Sequence, residues 1–235
     1  MSSLNSVLTR QALSSGTTIQ VGSDTPVAIR LRKKSAGTVT SVTVTTATNI
    51  VMITSDGGTD TYTFATYTTV GALVDAINAD GIFEAKELDC LRSQGTTGSQ
   101  FVTGAITSGT DDNGVVVWDV LQDTSVTLEL GVTLSPFRNF DFPKGHRVHI
   151  QQIVYSVNMG TAAADSFQIY KRKGKTESKI FGALSVDTTE TTLNLASGYG
   201  KISAGPDDEL FVRVKDAATL ADAGGNFVRV IGIIE

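Results

Sequence analysis

The groups whose types and spacing could do chemistry are few. His146 and His149 are three residues apart, so on a regular strand they face opposite ways and do not converge on a metal. Glu84, Glu87 and Asp89 would offer a glycan hydrolase its pair of carboxylates. Strand parity separates Glu84 from Glu87, however, and the plainer reading is a solvated face. Cys90 is the one cysteine, which excludes an internal disulfide and a cysteine-based zinc site, and it reads as a half-buried small residue. Asp111, Asp112 and Asn113 before Gly114 lack the alternating ligands and distant glutamate of a calcium loop, and read as a turn. No nucleophile elbow, Walker loop or dinucleotide fingerprint occurs. The expectation is a protein that is not an enzyme, with no catalytic residue, no cofactor and no metal.

Positive charge is the remaining candidate chemistry. Arg30, Arg32, Lys33 and Lys34 cluster at the end of PVAIRLR, either as a solvated strand end or as a docking patch for an acidic protein surface. Lys171-Arg172-Lys173-Gly174-Lys175 reads as an exposed hairpin tip that could meet an acidic neighbour or nucleic acid. The whole chain carries a net charge of -5 with a pI near 5.1, which argues against a general nucleic-acid binder.

The elements that must position these groups are mostly strands. The stretch Thr61 to Asp89 is the exception: Val70, Leu73, Val74 and Ile77 recur at helical spacing, Thr68 or Thr69 can cap the start, and Gly81 can end it. On both sides the period changes to two. PVAIRLR alternates Val27, Ile29 and Leu31 with Ala28, Arg30 and Arg32, as a half-buried strand does. From Thr38 the chain is rich in β-branched residues, with a turn at Asp56-Gly57-Gly58, so that about Gly37 to Ser93 forms a β-β-β-α-β unit closed by the loop Gln94 to Ser99. Val115 to Leu121 and Ser125 to Leu134 read as further strands, with Trp118 as a core anchor.

The last hundred residues offer strands at Arg147 to Val157, Ser166 to Lys171, Lys179 to Leu184, Thr191 to Leu195, Glu209 to Val214 and Asn226 to Ile234. The first of these changes parity part-way, which a bulge near Gln151-Gln152 reconciles with one core. The expected fold is mainly β: an antiparallel, jelly-roll-like β-sandwich with a small inserted α+β unit. Residues 1–36 would supply an N-terminal arm and the first strand of the sandwich, 37–104 the insertion and 105–235 the sandwich domain.

The opening residues lack the charged start and apolar core of a secretory signal, and no run is long enough for a membrane span. The expectation is synthesis in the host cytoplasm with no membrane partner. Spaced Leu4, Val7, Leu8 and Leu13 in a Ser-rich segment suggest an arm that orders only on a template.

The segment TVTSVTVTTATNIVMITSDGGTDTYTFATYTTVGALVDAINADGIFEAKELD resembles a module of tailed-bacteriophage virion proteins, in which Thr/Val strands precede a T-x-x-x-L-V-x-x-I-N-A helix. From VHIQQIVYSVNMG to FVRVIGIIE the chain is similar in rhythm to the β-sandwich domains of phage head decoration (cement) proteins. The resemblance implies a structural virion protein on the outer surface of the phage head, binding the major capsid protein as a homo-oligomer, plausibly a trimer, with no nucleic-acid partner. The partner-binding residues expected on this basis are Leu4, Val7, Leu8, Arg30, Arg32, Lys33 and Lys34. The alternative is a tail, neck or fibre component with a carbohydrate- or receptor-binding sandwich, disfavoured by an aromatic content of 7% with one Trp.

Overall fold

The computed structural model describes residues 11–12, 18–20, 26–97, 100–111, 113–123, 129–133, 148–156, 167–182, 191–194, 202–204, 208–215 and 227–234, with side chains over 26–97, 100–111, 113–123, 168–179 and 208–209. The protein is mainly β with antiparallel sheets, and among the described residues it has one helix. It divides into two compact units.

The first unit starts from β3 (Val27–Lys33), which buries Val27, Ala28, Ile29 and Leu31. It lies between β7 (Phe83–Glu87) and β10 (Val116–Leu121), and β9 (Ser108–Thr110) completes that sheet beyond β10. Thus β3 from residues 1–36, β7 from 37–104 and β10 from 105–235 share one sheet.

A second sheet is the meander β4 (Val39–Thr45), β5 (Asn49–Thr54) and β6 (Gly58–Thr63), with β8 (Gly104–Ala105) on the free edge of β4. The β5–β6 turn falls on Ser55-Asp56-Gly57, and Gly58 at φ 76 takes the left-handed geometry that L-residues avoid. Burial alternates along β5, with Ile50 and Met52 inward, as a strand with one covered face requires.

The helix α1 (Val70–Asp80) forms where its periodicity places it. Thr69 caps it by accepting from the Ala72 N–H at 3.2 Å, and Gly81 ends it at φ 75. Val70, Leu73, Val74 and Ile77 are all buried. The helix packs chiefly against β7 and also meets β3 and β6, so its apolar face serves both sheets rather than the meander alone. Residues of both sheets and of α1 belong to one hydrophobic cluster that includes Leu31, Val44, Met52, Phe64, Leu73, Phe83 and Val120. Trp118 is half-buried against this cluster and meets the Phe83 ring edge-on, with centroids 6.1 Å apart.

In the second unit, β12 (Val148–Ser156) and β18 (Phe227–Ile234) form a long antiparallel ribbon. The expected bulge is present: the register shifts between Ile150 and Gln152. Each outer edge of the ribbon carries two short strands. β15 (Thr191–Asn194) and β16 (Ile202–Ala204) pair with β12, while β1 (Gln11–Ala12) and β2 (Thr18–Gln20) pair with β18. β11 (Glu129–Thr133) is a further strand of the first unit. Another sheet of the second unit runs in the order β17 (Asp208–Lys215), β13 (Phe167–Lys173) and β14 (Thr176–Gly182).

Candidate interaction surface

The basic cluster of β3 is ordered by cross-strand pairing. Arg30 stands opposite Asp119 on β10, and its guanidinium grips that carboxylate with Nε–Oδ1 at 2.7 Å and a second contact of 2.6 Å. The hydrogen bond to Asp119 raises the Arg30 pKa above its ordinary value against the opposing effect of burial. Arg32 stands opposite Glu84 on β7 and pairs with it at 2.6 Å.

Lys33 extends its ammonium to both oxygens of Asp56 at 2.8 Å each, to the Ala36 carbonyl at 3.2 Å and to the Ser35 hydroxyl. It thereby ties the bend after β3 to the β5–β6 turn. The Lys33 and Ser35 hydrogen bonds hold the Asp56 carboxyl well below the usual carboxylate range. Lys34 is exposed. Three of the four basic residues therefore face a carboxylate of the same unit. Leu4, Val7 and Leu8 lie outside the described residues, as do His146 and the side chain of His149.

The carboxylates read as a solvated face separate instead. Glu84 is half-exposed, whereas Glu87 is buried and accepts from Arg92 at 2.8 Å. Arg92 also reaches Asp75 at 2.9 Å and the Gly71 carbonyl at 3.2 Å, clamping α1 to β7. Asp89 is fully buried and accepts the Val27 N–H at 2.9 Å. Burial of both residues follows from these partners, since a buried carboxylate persists where charge or N–H groups satisfy it. Cys90 is buried more deeply than expected, with its thiol donating to the Ala28 carbonyl at 3.2 Å.

The loop after β7 is fastened from within: Gln94 donates to Gln122 at 3.0 Å, Gln122 to the Asp89 carbonyl, and Thr96 to the Tyr67 carbonyl at 2.6 Å. Asp111 Oδ1 accepts from the N–H groups of Asn113 and Val115 at 2.9 Å each, forming the expected turn. Beside the end of α1, Tyr62 donates to Asp80 at 2.5 Å, and burial followed by that bond pushes its phenol up. Burial, then the neighbouring Asp80, raises the Asp60 carboxyl.

The hairpin β13–β14 shows the other arrangement of positive charge. Arg172 is buried and bonds Glu177 at 2.7 Å and Glu209 at 3.4 Å, and Lys171 approaches Asp208 at 3.5 Å. Lys173, Lys175 and Lys179 are exposed. Among the described residues, no group of three or more His, Cys, Asp or Glu side chains is arranged to hold a metal ion, and no helix is long and apolar enough to cross a membrane.

The residues that sequence reasoning missed are the counter-ions. Asp119 lies 89 positions from Arg30, Glu84 lies 52 from Arg32, and Asp56 lies 23 from Lys33. Strand parity identified the face of each arginine; only the register supplies the partner. No family model and no curated protein matches the chain.

Proposed function

We propose that the chain is a structural protein of a tailed-phage particle, a decoration or cement protein that binds the major capsid protein on the outer surface of the head as a homo-oligomer. The supporting observation is how the leading segment is held. Gln11–Ala12 and Thr18–Gln20 are short strands added to the outer edge of β18 by main-chain pairing. This is the attachment that suits an arm, because strand addition draws affinity from backbone hydrogen bonds along a template edge. The same mode would let the residues ahead of Gln11 engage an edge of a capsid subunit, with trimerisation multiplying weak contacts.

The architecture we propose behind this role is an antiparallel β-sandwich. In the first unit, the sheets containing β3 and β5 contribute to one hydrophobic cluster, as the inner faces of a sandwich do.

An electron-microscopy map of the intact virion tests the location, and deletion of residues 1–10, which leaves β1 and β2 in place, tests the attachment. The expected result is density on the head shell and a truncated protein that folds but no longer decorates. Density at the tail tip, or truncated protein that binds the shell as tightly as the full chain, overturns the reading.

A further inference from the structure

We infer that Asn113-Gly114, in the turn between β9 and β10, is a latent deamidation site, and that Asp111 keeps it closed by fastening the backbone nitrogen that the reaction needs. The inference goes beyond the cement reading and takes nothing from it.

Asn113-Gly114 is the one Asn-Gly step in the chain. Conversion begins when the Gly114 nitrogen loses its proton to a base in solution and attacks the carbonyl carbon of the Asn113 side chain. The new C–N bond closes a cyclic imide, and the side-chain nitrogen takes up a proton and leaves as ammonia. Water then opens the imide at either carbonyl to give aspartate or isoaspartate, so the sum is one water consumed and one ammonia released. Any other residue after the asparagine would set a Cβ beside the attacking nitrogen, and glycine has none. Asn113 and Gly114 are both exposed, and no described atom lies within 4 Å of where a Cβ on Gly114 would stand. Solvent and base therefore reach the step.

What the fold withholds is the nucleophile. The Gly114 N–H donates to the Asp111 carbonyl at 2.9 Å, and a hydrogen-bonded N–H yields its proton only when the bond opens. Further bonds hold that geometry. Asp111 Oδ1 accepts from the N–H groups of Asn113 and Val115 at 2.9 Å each, and the Asp111 N–H donates to the Val115 carbonyl at 2.9 Å. Both sides of the labile step are thus tied to one residue, itself 7% exposed. The strands anchor the turn at its base, where Thr110 pairs with Val116. Gly114, at φ 79, fills the left-handed position that such hairpin loops reserve for glycine.

Conversion in the folded protein therefore passes through a local opening of this turn, and its rate follows how rarely the turn opens. The product keeps the turn open. Isoaspartate inserts a backbone carbon between the two N–H groups, of Asn113 and Gly114, that Asp111 holds, and either product sets a second negative charge beside the Asp111 carboxylate.

The test incubates the full-length protein at mildly alkaline pH, folded or in concentrated urea, and follows Asn113 by peptide mapping with mass spectrometry, scoring isoaspartate separately. The folded parent is expected to convert about tenfold more slowly than the same chain in urea, the order of magnitude that a hydrogen bond supplies. Asp111→Ala removes both carboxylate bonds and is expected to speed conversion in the folded protein about tenfold. Asp111→Asn retains the Oδ1 acceptor and is expected to keep the parent's rate. Leu73→Ala weakens the shared core without touching this turn, and it too is expected to keep the parent's rate, which separates local opening from general loss of stability. Should Asp111→Ala fail to fold, Asp111→Glu, which carries the carboxylate past the two N–H groups, repeats the measurement. Equal rates for the parent in buffer and in urea, no conversion of Asn113 in urea, a folded Asp111→Ala or Asp111→Glu variant no faster than the parent, or equal acceleration by Leu73→Ala overturns the inference.

Discussion

Asn78, near the C-terminal end of α1, holds both main-chain polar groups of Ala85: its Nδ2 donates to the Ala85 carbonyl and its Oδ1 accepts from the Ala85 N–H, each at 2.9 Å. β7 is the outermost strand of its sheet, so the asparagine amide occupies the place of a neighbouring strand. An exposed ladder edge invites pairing with another chain, and the helix closes this one. Through Asn78, α1 is bonded to the edge of the sheet as well as packed upon it.

Replacing Asn78 with Leu is therefore expected to cost about 1–3 kcal/mol, because the Ala85 groups lose their partners at a buried position. The urea midpoint should fall with an unchanged slope. Asn78→Asp keeps the acceptor and loses the donor, so its midpoint should lie between the two. A leucine variant as stable as the parent would show that water replaces the amide without loss.

The apolar face of α1 gives a larger effect. Leu73 is fully buried in the shared cluster, so Leu73→Ala should cost about 2–5 kcal/mol through lost contacts and the cavity left behind. Leu73→Asp adds an unpaired carboxylate and should cost more, preventing folding at neutral pH. Equal stability of the two variants, measured by denaturant unfolding, would mean that the site opens to water.

Much of this unit was legible in the sequence because its signals are local. Thr69, the spacing of Val70, Leu73, Val74 and Ile77, and Gly81 lie within one short segment, and each takes its expected role. The parity change in β12 announced its bulge in the same way. The placement of β3 between β7 and β10 was not legible, because alternation reveals which face of a strand is covered and not which strands flank it. The same gap hid the pairing of Arg30 with Asp119 and the burial of Glu87 against Arg92.

Close packing at Gly71 predicts an unusual helix substitution. Its N–H donates to the Arg92 carbonyl at 2.9 Å, and a Cβ there would lie 3.1 Å from that oxygen and 3.0 Å from the Arg92 Cβ. A larger residue normally strengthens a helix relative to glycine, by about 1 kcal/mol for alanine. Here Gly71→Val must displace a segment fixed by Glu87 and Asp75, and should destabilise by about 1–3 kcal/mol. Thermal unfolding of the variant checks the sign, and a raised midpoint would contradict the close approach.

The Lys33–Asp56 pair predicts a pH dependence. The folded pKa of Asp56 is depressed below its ordinary value, chiefly by the hydrogen bond from Lys33 and then by Ser35. The pair's contribution is thus fully present above the unfolded value of about 3.9 and declines as pH falls through the folded value. Asp56→Asn should lower the unfolding temperature at pH 6, and the gap from the parent should narrow as the pH is lowered from 4. A gap that stays constant down to pH 2 would show that the carboxylate charge contributes nothing.

Arg172 provides the sharpest separation of charge pairing from packing. Its side chain is 3% exposed, between Glu177 at 11% and Glu209 at 19%, and it stands in register with both. Removing the guanidinium leaves two carboxylates facing each other across a strand, so Arg172→Ala should cost about 3–5 kcal/mol. Arg172→Met preserves much of the stem and isolates the charge effect. Combining it with Glu177→Gln and Glu209→Gln removes the stranded charges, and that triple variant should recover most of the lost stability, because a neutral row of similar volume avoids the desolvation of three ions. Urea unfolding of the single, double and triple variants gives the coupling directly. Additive losses would mean that Arg172 contributes through its stem alone, and that the base of the hairpin is held by packing.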